Sequence, residues 1–237
     1  MSELLEKIRS RGYRRAVIRP GSFVERRVSN ISALYPLLQK ISVQLRGWDF
    51  PHLDTPNELH IDLDRIEQEV DWSYHIELWR FYQSGQFVHI SALAEDWVDD
   101  SNNSDAARTW KPGHLLSVER TVFRFTEIFE FASRLALTEA GDEQMHVDIL
   151  VNGLGGRVLR VNPEKRAPLP LSMKASIKEL PYKVDISRAQ LITEPRDLAL
   201  KPALELFRRF GWDPSLEILR EIQGELFRQG SHAGDRG

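Results

Sequence analysis

The stretch from Tyr74 to Leu93 constrains the fold more than any other. Two runs rich in aromatic and β-branched residues, Tyr74 to Tyr82 and Phe87 to Leu93, flank Gln83-Ser84-Gly85-Gln86. That pattern reads as a β-hairpin turning at Ser84-Gly85. With Ser84 and Gly85 as the two loop residues, Phe81 faces Val88, Trp79 faces Ile90 and Glu77 faces Ala92 on one side of the ribbon. The other side then carries Tyr82 with Phe87, Arg80 with His89, Leu78 with Ser91 and Ile76 with Leu93. Both sides are largely apolar, so the hairpin is expected inside a sheet covered by helices. Arg80 and His89, as neighbours in the middle of an apolar face, are candidates for an anion-binding or proton-carrying pair. A carboxylate holding Arg80 is the structural alternative.

The pattern elsewhere extends this to an α+β fold with a mixed or antiparallel sheet. Ser117 caps a helix over 118–138, in which Val118, Val122, Phe125, Phe129, Ala132 and Ala136 recur every three or four residues. Phe123, Ile128, Phe131 and Leu135 widen its apolar surface, so this long helix is expected at the centre, against the sheet. Arg120, Arg124, Glu127, Glu130 and Arg134 form its remaining stripe, where Glu130 can pair with Arg134. A second hairpin is expected over 145–161, turning at Asn152-Gly153-Leu154-Gly155-Gly156, with Asp148 opposite Arg160. Those glycines lead into Arg157-Val158-Leu159-Arg160-Val161, another strand. A phosphate-binding loop requires a helix there, so nucleotide binding at this loop is not expected.

Before the central hairpin, Ser2 to Arg11 predicts a helix, Tyr13 to Arg19 a strand, and Ile31 to Leu45 an amphipathic helix with Ser32 as its cap. After 161, residues 162–195 read as a proline-rich connection with a short strand at 182–186. Helices over 196–210 and 214–228, the second capped by Asp213, form a C-terminal helical hairpin. We divide the chain into an α+β domain (1–190), a helical pair packed on it (191–229) and a disordered tail (230–237).

Composition narrows the functions. Hydrophobic residues make up 41% and charged residues 28% of the chain, as in ordinary globular proteins. A net charge of −3 supplies no global attraction to nucleic acid or anionic membranes. There is no cysteine, which removes disulfides, thiolate metal sites and a cysteine nucleophile. No secretory leader and no membrane-length apolar run is visible, and the chain is expected to be soluble and cytoplasmic.

Four groups of residues are candidates for chemistry. Arg14, Arg15, Arg19, Arg26 and Arg27, interleaved with Tyr13 and Phe23, could form a basic strip for phosphate or nucleic acid. Trp48 and His52 lie in a loop, 46–56, dense in binding groups. His60, Asp62 and Asp64 alternate along an expected strand, with Ile61 and Leu63 inward, and are candidate ligands for a divalent metal. A solvated strand face produces the same alternation. Asp96, Asp99 and Asp100 fall in an acidic stretch expected to be a mobile loop.

No familiar catalytic spacing is present. The expected function is therefore a non-catalytic binding or adaptor module. Its expected partner is another protein, with nucleic acid as a further partner through the basic strip, and it needs no cofactor. The alternative is a metal-dependent hydrolase of phosphodiester or similar bonds, using His60, Asp62 and Asp64 with Arg80 and His89. A third reading is a small-ligand sensor with its pocket between the sheet and the long helix.

Overall fold

A computed structural model of the protein describes residues 2–53, 59–98, 111–169 and 173–230, the last three by backbone alone. The elements run α1 (Glu3–Arg9), β1 (Tyr13–Pro20), α2 (Leu34–Ile41), β2 (Val43–Gln44), β3 (Asp49–Phe50), β4 (His60–Ile61), β5 (Arg65–Trp72), β6 (His75–Tyr82) and β7 (Phe87–Ala92). Then come β8 (Leu115–Ser117), α3 (Val118–Ala136), β9 (Gln144–Asn152), β10 (Val158–Arg160), β11 (Glu179–Ser187), α4 (Arg188–Thr193), α5 (Pro195–Arg208) and α6 (Leu216–Gly230). The fold is α+β. Seven strands form one antiparallel sheet in the order β11-β9-β1-β7-β6-β5-β4.

The long helix is where its periodicity places it. Ser117 Oγ accepts from the Arg120 amide at 3.2 Å and starts α3. Its apolar side chains pack on the sheet through one core that includes Trp79, Phe81, Phe87, Phe125, Phe129 and Phe131. The C-terminal helices bring Leu206, Leu219 and Leu226 to the same core. The opposite side of the central hairpin is covered by α1, whose Leu4, Leu5 and Ile8 pack on Ile76, Leu78, Ile90 and Ala92. Both sides of β6 and β7 are thus buried, as their composition demands.

The register of the central hairpin differs from expectation by one residue. Phe81 pairs with Phe87, Trp79 with His89 and Glu77 with Ser91. The loop has three residues, Gln83 to Gly85. The Tyr82 amide donates to the Gln86 carbonyl at 2.9 Å, and Gly85 takes the left-handed conformation at φ 84°. This is the turn-plus-bulge geometry of three-residue hairpins. Gly85 has no room for a side chain either, because a Cβ there would lie 2.1 Å from the Ala140 carbonyl oxygen. The one-residue change moves His89 across the ribbon, away from Arg80 and onto the face that carries Glu77.

Other expectations are corrected by long-range contacts. The 145–161 segment turns back at Gly153 and Gly156, but β9 lies between β1 and β11 while β10 pairs in parallel with β8. With both edges of β9 taken, the returning strand leaves the sheet. Arg157 anchors that exit, donating to Asp96 Oδ1 and to the Leu115 carbonyl, each at 2.8 Å. Asp148 accordingly pairs with Arg15 and Lys183 rather than Arg160. Asp96 and Glu95 are buried in a 3-10 turn instead of a mobile loop, with Asp96 accepting from the Gly12 and Gly113 amides at 2.9 and 2.8 Å. Asp99, Asp100 and the expected tail after 230 lie outside the described residues.

Ile61 and Leu63 are 58% and 93% exposed, so the alternation after His60 does not mark an inward face. Asn30, not Ser32, caps the turn before α2, and α2 stops at Ile41. Residues 179–187, read in part as linker, form a full edge strand on β9. The last helix begins at Leu216, where Ser215 rather than Asp213 accepts from a first-turn amide, and α5 runs through Pro202. Among the described residues, no helix is long and apolar enough to cross a membrane.

Candidate functional site

Strand alternation puts Arg14 of β1, Glu77 of β6, and His89 and Ser91 of β7 on the sheet face beneath α3. The first turns of α3 bring Arg120, Thr121, Arg124 and Glu127 to the same place, at spacings that share one side of a helix. The β2–β3 loop adds Arg46 and Trp48, the β5–β6 turn adds Tyr74 and His75, and the turn after β7 adds Glu95. Between them is a cleft of about 220 Å³ lined by Arg14, Arg46, Arg120 and Arg124 together with Glu77 and Glu95.

Two carboxylates organise its floor. Glu77, 1% exposed, accepts from the His52 amide at 2.9 Å. Its other oxygen is 3.1 Å from His89 Nε2, 3.3 Å from His75 Nε2 and 3.9 Å from Arg124. Both imidazoles sit at ion-contact distance without hydrogen-bond alignment. Burial pushes the Glu77 carboxyl up, but the His89 and His75 contacts outweigh it and hold the group well below the usual carboxylate range. Burial also lowers His89, and the pull of Glu77 only partly offsets that. Glu77 is therefore the charged member and His89 the neutral one near neutrality. Glu127 is fully buried and receives both arms of Arg46 at 2.6 Å, with Arg124 at 3.4 Å. Burial would raise it, and these arginines lower it instead.

The arginines are not all matched in this way. Arg14, 5% exposed, donates to Thr121 Oγ1 at 3.2 Å, while its Nε has no hydrogen-bond partner. No carboxylate lies within 4 Å of it among the described residues. Burial and the neighbouring Arg124, Arg46 and Arg157 lower its pKa to about 10 against the opposing pull of Glu95. Even so it is a full cation at pH 7. Arg120 likewise has no carboxylate in ion-pair reach among the described residues and stacks over Tyr74 at 5.6 Å.

A second concavity of about 340 Å³ opens directly beside the first and shares Trp48, Tyr74 and His75 with it. Its other walls are His52, Trp72 and Ser73.

The residues singled out from sequence divide among these places. Arg14 lines the charged cleft, and Trp48 and His52 line the aromatic concavity. Arg15 projects from the opposite sheet face to Asp148, Arg19 and Arg26 are exposed, and Arg27 is held by the Gly141 carbonyl and Asp142. The basic strip is therefore dispersed, because successive residues of a strand point to opposite faces. Arg80 is paired with Glu67 at 2.6 Å on the face away from His89, so the two do not act together. Asp62 and Asp64 both meet Arg65, at 2.6 and 3.7 Å, and His60 is exposed. Among the described residues no three potential metal ligands converge.

Arg46, Glu95, Arg120, Arg124 and Glu127 are site residues the sequence reading did not select. One signal was present: a helix apolar on nearly every side carries Arg120, Arg124 and Glu127 at i, i+4 and i+7, which requires a polar interior facing that stripe. No family model, no curated protein and no solved structure matches the chain.

Proposed function

We propose that the protein binds a small oxyanion, a carboxylate or phosphate, in the cleft between its sheet and the start of α3. The observation that carries this reading is Arg14: a buried guanidinium with one neutral hydrogen bond and, among the described residues, no carboxylate within 4 Å. Burying an unmatched charge costs several kcal/mol, and an oxyanion in the cleft would offset that cost while meeting Arg120 as well. Arg46 and Arg124 are already committed to Glu127 and give the site its shape. The adaptor reading drew on Arg14, Arg15, Arg19, Arg26, Arg27, Trp48 and His52; of these Arg14, Trp48 and His52 line two adjoining cavities of small-molecule size, which favours a small ligand over a protein surface.

Calorimetric titration with inorganic phosphate and with acetate tests this. The wild type is expected to bind at least one of them, and Arg14→Met to bind neither. Removal of the unmatched charge should also raise the melting temperature of the unliganded protein by a few degrees, the equivalent of roughly 1 kcal/mol. A wild type that takes up neither anion, or an Arg14→Met variant that binds as well as wild type, refutes the proposal.

A further inference from the structure

We infer that the anion is carried on an aromatic ring, which seats in the concavity formed by Trp48, His52, Trp72, Tyr74 and His75. This rests on the oxyanion reading and specifies the rest of the ligand. Every lining side chain of that concavity except Ser73 is a ring. His52 meets Trp72 edge to face at 4.4 Å and 82°, and Trp48 stands toward His75 at 6.1 Å and 64°. The walls therefore present ring faces and edges in the orientations that aromatic groups prefer in contact. The space is ample, since a cavity of about 150 Å³ holds benzene and this one is about 340 Å³.

Continuity with the charged cleft decides the class. Trp48, Tyr74 and His75 belong to both walls, so a ring in the concavity puts a directly attached carboxylate or phosphate on the arginine side. At the junction Arg46 stacks over Trp48 at 5.4 Å and Arg120 over Tyr74 at 5.6 Å, so cation and ring alternate across it. Trp72 and Trp48 are left 44% and 39% exposed beside this space. The turn that carries Trp72 and Tyr74 also holds Ser73 at φ 51°, a left-handed conformation costly for a residue with a Cβ. Strain of this kind concentrates where a side-chain arrangement is used.

The test is a calorimetric panel of phenyl phosphate, methyl phosphate, benzoate, acetate and cyclohexanecarboxylate on the full chain. We expect phenyl phosphate or benzoate to bind about tenfold tighter than its methyl counterpart, the order of one stacking contact. Which of the two wins separates a phosphate from a carboxylate ligand. Trp72→Ala should erase the advantage while leaving methyl phosphate or acetate affinity unchanged, and Trp72→Phe should keep most of it. Equal affinity for aryl and methyl anions, or for benzoate and cyclohexanecarboxylate, overturns the aryl inference and leaves the anion site standing. Failure of every anion to bind removes both.

Discussion

At the scale of single residues, the cleft stores opposed charges whose protonation differs between folded and unfolded chains. His89 has a folded pKa below 6.5 because it is buried. As pH falls through 6.5 the unfolded chain therefore takes up that proton first, and stability drops. Glu77 and Glu127 have folded pKa values below 4.5, so their contribution is complete above pH 4.5 and is lost as pH falls further. Urea unfolding at a series of pH values should show stability declining in two stages. His89→Gln should flatten the stage that begins at 6.5 and leave the lower one. An unchanged slope in that variant would mean His89 is not a buried neutral group. Glu77→Gln should cost about 3 kcal/mol, because the buried Arg124 loses one of the carboxylates that it faces. Sequence supplied part of this: His89 stands out as a polar residue on an apolar face, though beside Arg80 rather than Glu77, and Arg14 stands out for its neighbours in the chain, whereas its importance comes from pointing away from them.

Elements were legible where their signals are local. Ser117 and the three-or-four spacing of Phe125, Phe129 and Ala132 sufficed to place α3, since a cap and a period are both written within one segment. The central hairpin was legible as a hairpin but not in register. Register is read from which face is apolar, and here both faces are, so Leu78 or Trp79 can stand opposite Ile90 without penalty in the pattern. The loop decides instead, through Gly85. Gly85→Ala should destabilise the protein by at least about 2 kcal/mol, combining a left-handed alanine with a clash against the Ala140 carbonyl. Chemical denaturation measures it, and a cost under half that would show the loop is free to rearrange. Ser73→Gly should have the opposite sign, adding roughly 1 kcal/mol by relieving the β5–β6 turn.

For the whole molecule, what the sequence withheld is the non-local pairing. The α+β class follows from local patterns, but nothing in Tyr13 to Pro20 announces that β1 inserts between β7 and β9, which is what carries Arg14 beneath α3. Likewise Arg157 and Asp96 are ordinary surface-like residues in the chain and become a buried tie between two segments. That topology makes ligand and fold one equilibrium: saturation at a hundred times the dissociation constant should stabilise the protein by about 2.7 kcal/mol. The most direct measurement is the arginine Nε–H nuclear magnetic resonance spectrum, with Arg14 assigned by its disappearance in Arg14→Met. Titration with phenyl phosphate and benzoate is predicted to shift the Arg14 signal saturably while Arg157, tied to Asp96, stays fixed. An Arg14 signal that does not move with either anion would contradict the claim that this guanidinium awaits one.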